Sequence, residues 1–254
     1  MKDQALFEYT LALADDALVS AQRMGWWISR APELEEDVAL ANIGLDQLGQ
    51  ARTLLTHAGE LEGEGRSEDD LAYLRDDREF RNVKLVERPM TDFGVAMARL
   101  LVFSTYQLHL YRALVTSQDQ TLAGVAAKAV KEVAYHVDHA AHWVLRLGDG
   151  TEESHQRMLR AMEDLNQFIP ELFSPANYET ELAGKGQAVS PEAMEGEWYQ
   201  RVNDIFVEAG LPVWQAGKKD NLPVSGKNGI HTEHLGHLLA EMQFLQRTYP
   251  GAIW

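Results

Sequence analysis

Apolar residues recur at intervals of three and four positions along nearly the whole chain, and this helical period is the strongest constraint on the fold. Alternating apolar and polar runs bounded by turn residues, the pattern of strands, are hard to find. The sequence therefore predicts an all-α protein. A chain of 254 residues can bury a sizeable core. We expect one domain over residues 1–254, with a core bundle at about 4–148 and wrapping helices at about 152–254.

Four long segments are predicted as the core helices, over residues 4–29, 33–60, 93–115 and 121–147. Pro32 separates the first two, Thr91 or Asp92 is the expected capping residue of the third, and the fourth follows Asp119. The third is apolar nearly all round, so we expect it to be covered on several sides. In the second helix the predicted buried stripe comprises Leu34, Val38, Ala41, Leu45, Leu48 and Leu55.

The remaining segments are predicted to connect or wrap these helices. Residues 61–90 are acidic and polar, which indicates a long surface connection with one short helix near 70–75, as in a bundle with one long crossover. Further helices are predicted at 152–173, 190–209 and 232–248. The loop over 210–229 carries Lys218, Lys219 and Lys227. We interpret it as a solvated basic loop, with an anion cradle as the alternative.

This order of helices favours a ferritin-like four-helix bundle, in which a di-iron centre uses one Glu from each of two helices and Glu-x-x-His from each of the other two. Carboxylates are needed there because they compensate the charge of two buried iron ions. The corresponding positions here hold mostly uncharged side chains: Asp16, Gln47, Gln50, Ser104, Val133 and His136. We therefore predict a degenerate di-iron site, with no metal, cofactor or catalytic residue in this chain.

Histidine spacing suggests a rival metal site, because six of the nine histidines form two triplets, at 136/139/142 and 231/234/237. The outer members of each triplet lie about 120° apart around a helix, so at most two adjacent rings can share an ion. We expect some rings to pack and others to be solvated. The one literal Glu-x-x-His, at 152–155, is interpreted as an acid cluster at a helix start, and Trp26 and Trp27 as core, with a partner-facing patch as the alternative.

The charge balance and the absence of cysteine exclude several classes of function. The chain has 23 Lys and Arg against 39 Asp and Glu, a net charge of −16, which disfavours binding to nucleic acid and to anionic membranes. Without cysteine there is no disulfide and no thiolate-ligated iron–sulfur cluster. The amino terminus does not fit a secretory signal, and the longest uncharged run, at 100–111, is too short to span a membrane. We expect a cytoplasmic protein.

Several segments together resemble one known family. They are RAPEL at 30–34, LANIGLDQLGQAR at 40–52, KE at 131–132 with YH at 135–136, and GIHTEHLG at 229–236 followed by LAEMQ at 239–243. These segments resemble the C subunits of bacterial phenylacetyl-CoA epoxidases, and the resemblance extends over essentially the whole chain. The closing motif is the most specific part.

The resemblance implies a ferritin-like fold and the role of a non-catalytic structural subunit in a multicomponent monooxygenase. Such a complex epoxidises the aromatic ring of phenylacetyl-CoA in aerobic phenylacetate breakdown. A homologous catalytic subunit holds the di-iron centre and the substrate, a small subunit bridges, and a reductase with flavin and an iron–sulfur cluster brings electrons from NADPH. The alternative is an autonomous ferritin-like metalloprotein or metal store.

The closing motif is also the predicted partner interface. Its polar residues precede an apolar stripe of Leu235, Leu238, Leu239 and Met242, and such groups are suited to fix a helix against a second protein. The alternative is that the motif caps its own helix and packs within its own chain. The interface candidates are His231, Thr232, Glu233, His234 and Leu235, together with Lys218 and Lys219.

Overall fold

A computed structural model describes residues 3–217 and 225–252, and within these ranges all regular structure is helical. The chain divides into two compact units, unit 1 over residues 1–89 and 224–254 and unit 2 over residues 90–223. The all-α prediction is confirmed, while the single domain with wrapping helices stays a prediction. None of the described helices is both long and apolar enough to cross a bilayer.

The described α-helices are numbered along the chain. They are α1 (Gln4–Gly25), α2 (Leu34–Glu62), α3 (Glu68–Tyr73), α4 (Lys84–Glu87), α5 (Phe93–Leu114), α6 (Gln120–Gly148), α7 (Glu152–Asn166), α8 (Ile169–Leu172), α9 (Asn177–Gly184), α10 (Glu195–Glu208), α11 (Glu233–Met242) and α12 (Phe244–Thr248). Short 3₁₀ turns lie at Asp77–Glu79, Pro191–Met194 and Gly226–Asn228. The sequence did not predict α9.

Side-chain caps define where the long helices begin. Asp92 accepts a hydrogen bond from the Val95 N–H at 2.9 Å, and Asp119 accepts one from the Leu122 N–H at 2.9 Å. These caps satisfy amide groups that have no partner inside the helix. The predicted starts of α5 and α6 are therefore confirmed. At its other end α2 stops at Gly63, whose φ of +72° suits glycine.

The predicted buried stripe of α2 is wrong for most of its length. Leu34, Val38, Leu45 and Leu48 are exposed, and of the six predicted residues only Leu55 is buried. The buried face is instead formed by Leu40, Ile43, Gln47, Gln50 and Leu54. Because α2 has apolar residues on two opposite faces, its period alone does not distinguish the face that is covered.

The connection over residues 61–90 is also more buried than predicted. Leu71, Phe80, Val83 and Leu85 are all buried, and α4 packs against α1 within unit 1. Acidic residues lie between these apolar ones, so the overall composition of the segment is polar although its apolar side chains are buried. The surface prediction is therefore wrong for most of the segment after residue 70, although the short helix predicted within it is present as α3.

In unit 2, α5 packs with α6, α7 and α10. Nearly all residues of α5 are buried, which confirms that this helix is covered on several sides. Trp198 of α10 is fully buried and donates from Nε1 to the Val102 carbonyl at 2.9 Å. The indole thus has a partner for its polar atom while its ring fills the core.

A buried ion pair joins α1 to the connection in unit 1. The guanidinium of Arg75 binds both carboxylate oxygens of Asp15, and both side chains are almost completely buried. Arg75 also lies 4.2 Å over the ring of Phe80 and donates to the Glu79 carbonyl. Asp15 additionally accepts from the Arg81 N–H at 2.8 Å. The pair is thus fully hydrogen-bonded, as a buried charge requires.

The carboxyl-terminal helices complete the same region of unit 1. Gln243 lies in the break between α11 and α12 and donates from Nε2 to the carbonyls of Ala72 and Arg75, at 3.1 and 3.0 Å. Arg247 donates to the carbonyls of Leu74 and Arg75. These carbonyls lie at the end of α3 and have no partner within that helix. The helix predicted over 232–248 is therefore present with an interruption at Gln243.

We predict that Arg75→Met lowers the free energy of unfolding by about 3–5 kcal/mol, because it leaves the Asp15 carboxylate buried without its counter-charge. Chemical denaturation measures the change. The matched control is Arg52→Met, which removes an exposed partner of Glu68 at 3.2 Å and should change stability by less than about 1 kcal/mol. Equal effects of the two substitutions would contradict the role given to the buried pair.

Candidate functional site: buried carboxylates and the carboxyl-terminal motif

The predicted ligand positions of unit 1 lie on α1 and α2. Asp16 is buried, and its Oδ1 accepts a hydrogen bond from the Val83 N–H at 2.8 Å. Gln47 and Gln50 are buried on α2. The one carboxylate in this set therefore holds the backbone of the connection, and the two amides bring no charge.

The predicted ligand positions of unit 2 are all completely buried. Ser104 lies on α5, and Val133 and His136 lie on α6. A hydroxyl, an alkyl group and one imidazole supply no negative charge. Between Phe93 and Leu114, α5 contains no Asp or Glu at all.

These six residues do not fit a di-iron centre. The set contains a single carboxylate, and that carboxylate already accepts a backbone hydrogen bond. Two iron ions with so few anionic ligands would leave most of their charge uncompensated in a buried site. Within residues 3–217 and 225–252, no three His, Asp or Glu side chains are grouped so that they could hold a metal ion.

Both histidine triplets combine rings in different surroundings, as predicted. His136 is completely buried and His142 exposed, and in the second triplet the His231 side chain is buried while His237 is exposed. The 152–155 segment begins α7 with two acids in its first turn, which confirms its interpretation as an acid cluster. The ring of His155 lies 2.7 Å from the Gly148 carbonyl and so closes the preceding turn.

The carboxyl-terminal motif is centred on a buried carboxylate that the sequence analysis did not single out. Glu87 is completely buried at the end of α4. Its Oε1 accepts from the Thr232 N–H at 2.6 Å, and its Oε2 lies 2.9 Å from Nδ1 of His231 and 3.2 Å from Nδ2 of Asn82. The network ties residues 82–87 to residues 231–232, some 145 positions apart in the chain.

Both ring nitrogens of His231 face acceptors. Nδ1 faces the Glu87 carboxylate at 2.9 Å, and Nε2 faces the Phe80 carbonyl at 3.0 Å. The ring thus lies between the Glu87 carboxylate and the backbone of the connection, and His231 cross-links the two.

Two glycines let the loop before the motif lie against the connection. A Cβ at Gly226 would overlap the carbonyl oxygen of Asn82, and one at Gly229 would overlap that of Arg78. Gly229 also has a φ of +76°, which other residues rarely adopt. The close approach at Gly229 explains the glycine that opens the most specific motif of the sequence, and Gly226 lies three residues before it. Lys227, between them, is buried, so the solvated interpretation of the loop is wrong for this lysine.

Two arginines complete the motif. Arg23 donates from Nε and Nη2 to the Glu87 carbonyl, at 2.9 and 2.5 Å, and from Nη2 to the His234 carbonyl at 3.0 Å. Arg88 Nη1 lies 3.0 Å from Nε2 of His234, and since an arginine only donates, that nitrogen accepts and the ring is neutral. Burial, followed by the charge of Arg88, lowers the pKa of His234.

The predicted interface residues thus differ in their exposure to solvent. Leu235 and the side chain of His231 are buried in unit 1, and the Thr232 hydroxyl accepts from the His234 N–H at the start of α11. Glu233 is exposed. Lys218 and Lys219 lie outside the described residues. Capping and internal packing therefore explain much of the motif.

Three residues that organise this site were missed from the sequence: Asp15, Arg75 and Glu87. A partial signal existed for Asp15, because two consecutive acids interrupt the otherwise apolar centre of α1 and so require compensation. Nothing in the local sequence around Arg75 or Glu87 distinguishes them from neighbouring charges. Their partners lie 60 and 144 positions away.

Comparison with known sequences identifies the family. Residues 1–254 match the family described as phenylacetic acid catabolic protein. The chain belongs to this phenylacetic acid catabolic protein family. A relative in Escherichia coli (strain K12), named as the C subunit of 1,2-phenylacetyl-CoA epoxidase, is 46% identical over 249 residues, which cover 98% of this chain and 99% of that protein. The family has a ferritin-like fold, so the predicted fold class is confirmed.

For this family member we predict that stability falls as the pH drops below about 6.5, in part through His234. Its pKa is lowered in the native state, so the unfolded chain binds the proton first, and this contribution is complete only above that pH. His234→Gln keeps an acceptor for Arg88 but does not titrate, so it should flatten the decline. His109, whose pKa burial also lowers, leaves a residual slope.

The measurement is the melting temperature between pH 5 and 8 for wild type and variants. The control is His237→Gln, which changes an exposed ring on the same helix and should leave the wild-type slope. A His234→Gln profile identical to wild type would contradict the assignment.

Proposed function

We propose that this chain is the structural C subunit of a 1,2-phenylacetyl-CoA epoxidase that acts in phenylacetate catabolism. The observation that carries the proposal is the 46% identity, over nearly the full length of both chains, to the Escherichia coli protein of that name. Similarity of this extent, without a large insertion or truncation, supports a shared role for the whole chain. A cytoplasmic location is part of the proposal.

The non-catalytic part of the proposal rests on the donor set. Four of the six predicted ligand positions hold Gln47, Gln50, Ser104 and Val133, which bring no charge. Three buried carboxylates of unit 1 accept hydrogen bonds from protein groups instead: Asp15 from Arg75, Asp16 from the Val83 N–H, and Glu87 from the Thr232 N–H. These contacts support a chain whose buried charges fix its own structure.

The cofactors of the reaction are then expected in partner subunits. A homologous catalytic subunit would hold the di-iron centre and the substrate, a small subunit would bridge, and a reductase with flavin and an iron–sulfur cluster would deliver electrons from NADPH. The contribution of this chain is a rigid helical surface on which the catalytic subunit is stabilised. An autonomous ferritin-like metal store is the competing function.

We predict that iron is found in the catalytic partner subunit and not in this chain. The chain is purified alone and after co-expression with a homologous di-iron subunit, and iron per chain and epoxidation of phenylacetyl-CoA with the reductase are measured. We expect less than about 0.1 iron and no turnover for the chain alone, because its ligand positions lack the carboxylates that iron requires. Turnover should require both subunits. Stoichiometric iron in the isolated chain would instead favour the metal store.

A second test concerns the interface role of the carboxyl-terminal motif, which we keep as a proposal for Glu233. This side chain is exposed next to buried residues that hold its position. Glu233→Lys should weaken binding to the catalytic subunit several-fold at low salt and leave the melting temperature of the isolated chain nearly unchanged. Unchanged binding together with a destabilised chain would mean that the motif acts only within its own fold.

A further inference from the structure

Helix α2 carries apolar residues on two opposite faces, and only one of them is covered. The buried face steps through residues 40, 43, 47, 50 and 54, and the opposite face through 34, 38, 41, 45 and 48. We call this second set, Leu34, Val38, Ala41, Leu45 and Leu48, the outer seam. Its four leucine and valine side chains are 74%, 55%, 63% and 40% exposed.

The spacing of the outer seam is that of a helix-packing surface. Its members alternate steps of four and three residues, an average period of 3.5, and this period keeps a stripe facing a partner helix along its length. Single exposed apolar residues are common on protein surfaces, but four exposed ones and a half-buried alanine in one register are not random scatter. Gly49 lies beside the seam with open space around its Cα, which allows close approach.

The dimensions of the seam indicate the centre of a larger interface. Fourteen steps from Leu34 to Leu48 correspond to about 21 Å of helix, which is too little area for a stable complex on its own. Trp26 and Ile28, in the turn before α2, are 47% and 51% exposed and add apolar surface close in the chain. Trp27 is buried, so the core prediction for the two tryptophans is correct only for Trp27.

The charges around the seam indicate which kind of partner can bind there. A second copy of this chain would bring together two molecules of net charge −16, and charge of this size opposes self-association. At the amino end of the seam Glu33 and Glu35 are exposed, while Arg52, at its carboxyl end, already pairs with Glu68. A fitting partner helix therefore has an apolar stripe with Lys or Arg opposite Glu33 and Glu35.

We propose that the outer seam of α2 is the docking surface for a helix of the homologous catalytic subunit. This inference rests on the proposed function, which supplies the partner. The apolar residues provide the buried area, and the acids at the amino end fix the direction of the partner helix. Helix α2 then lies between two helical layers, one from its own chain and one from the partner, which explains its two apolar faces.

The test replaces two seam residues, in the double variant Leu45→Glu, Leu48→Glu. The matched control is Leu74→Glu, Val207→Glu, which adds the same charge at apolar residues that are 50% and 64% exposed outside the seam. Dissociation constants for the catalytic subunit are measured by titration. We expect at least a tenfold weaker complex for the seam variant and less than a twofold change for the control. The melting temperatures of both isolated variants should stay within about 3 °C of wild type, since the altered side chains are exposed.

A charge variant tests the orientation. Glu35→Lys should weaken the complex several-fold at low ionic strength, and the effect should diminish at high salt because the contact is at the rim. An increased affinity, or no change at any salt concentration, would contradict the basic partner surface.

Each outcome supports or overturns the inference. Wild-type affinity in a folded seam variant overturns it. The inference is also overturned if sedimentation shows that the isolated wild-type chain dimerises and the seam variant does not, while both bind the catalytic subunit equally. The seam would then bind a second copy of this chain. If wild type itself neither binds the catalytic subunit nor supports turnover, the proposed function fails together with the inference. Failure of the proposed function is thus seen in the wild-type measurements, whereas failure of the seam inference alone is seen only when wild type and the seam variant are compared.

Discussion

A carboxylate buried in a helical protein must be compensated, and in unit 1 protein groups supply that compensation. Asp15 binds the guanidinium of Arg75, Asp16 accepts the Val83 N–H, and Glu87 accepts from Thr232 and lies against His231. All three sets of contacts involve the segment between α3 and α5. Removing any one partner would leave a charge or acceptor buried and unsatisfied. The resulting loss in the free energy of unfolding is larger than the net contribution of the contact itself.

This use of buried charge connects the fold to the function. A di-iron subunit needs inward carboxylates for metal, whereas here the predicted ligand positions of α2 hold the amides Gln47 and Gln50. The two buried carboxylates of α1, Asp15 and Asp16, accept hydrogen bonds from backbone N–H groups of the connection. The consequence is that, in unit 1, hydrogen bonds and an ion pair from protein groups maintain the connection and the carboxyl-terminal motif. Such a unit is suited to present a fixed surface to a partner, and the exposed apolar outer seam of α2 is a surface of this kind.

The sequence predicted the features that depend on local physics. The third predicted helix begins after Asp92, one of the two capping residues expected for it, and α6 follows Asp119 as expected. The near absence of charge in α5 correctly indicated its burial. It failed where the outcome depends on distant partners. The period of α2 fits two opposite stripes equally well, and which one is covered follows from tertiary packing. The contact between Glu87 and His231 joins residues 144 positions apart. Spacing patterns within a single helix cannot predict contacts between such distant residues.

We propose that this chain contributes structure and not metal to an oxygenase complex. Diffraction data collected on either side of the iron absorption edge, from crystals of the co-expressed complex, test it most directly. We expect anomalous peaks within the catalytic subunit only, with Gln47 and Gln50 of this chain in protein contacts. A peak of comparable height beside Asp16 or His136 of this chain would contradict it.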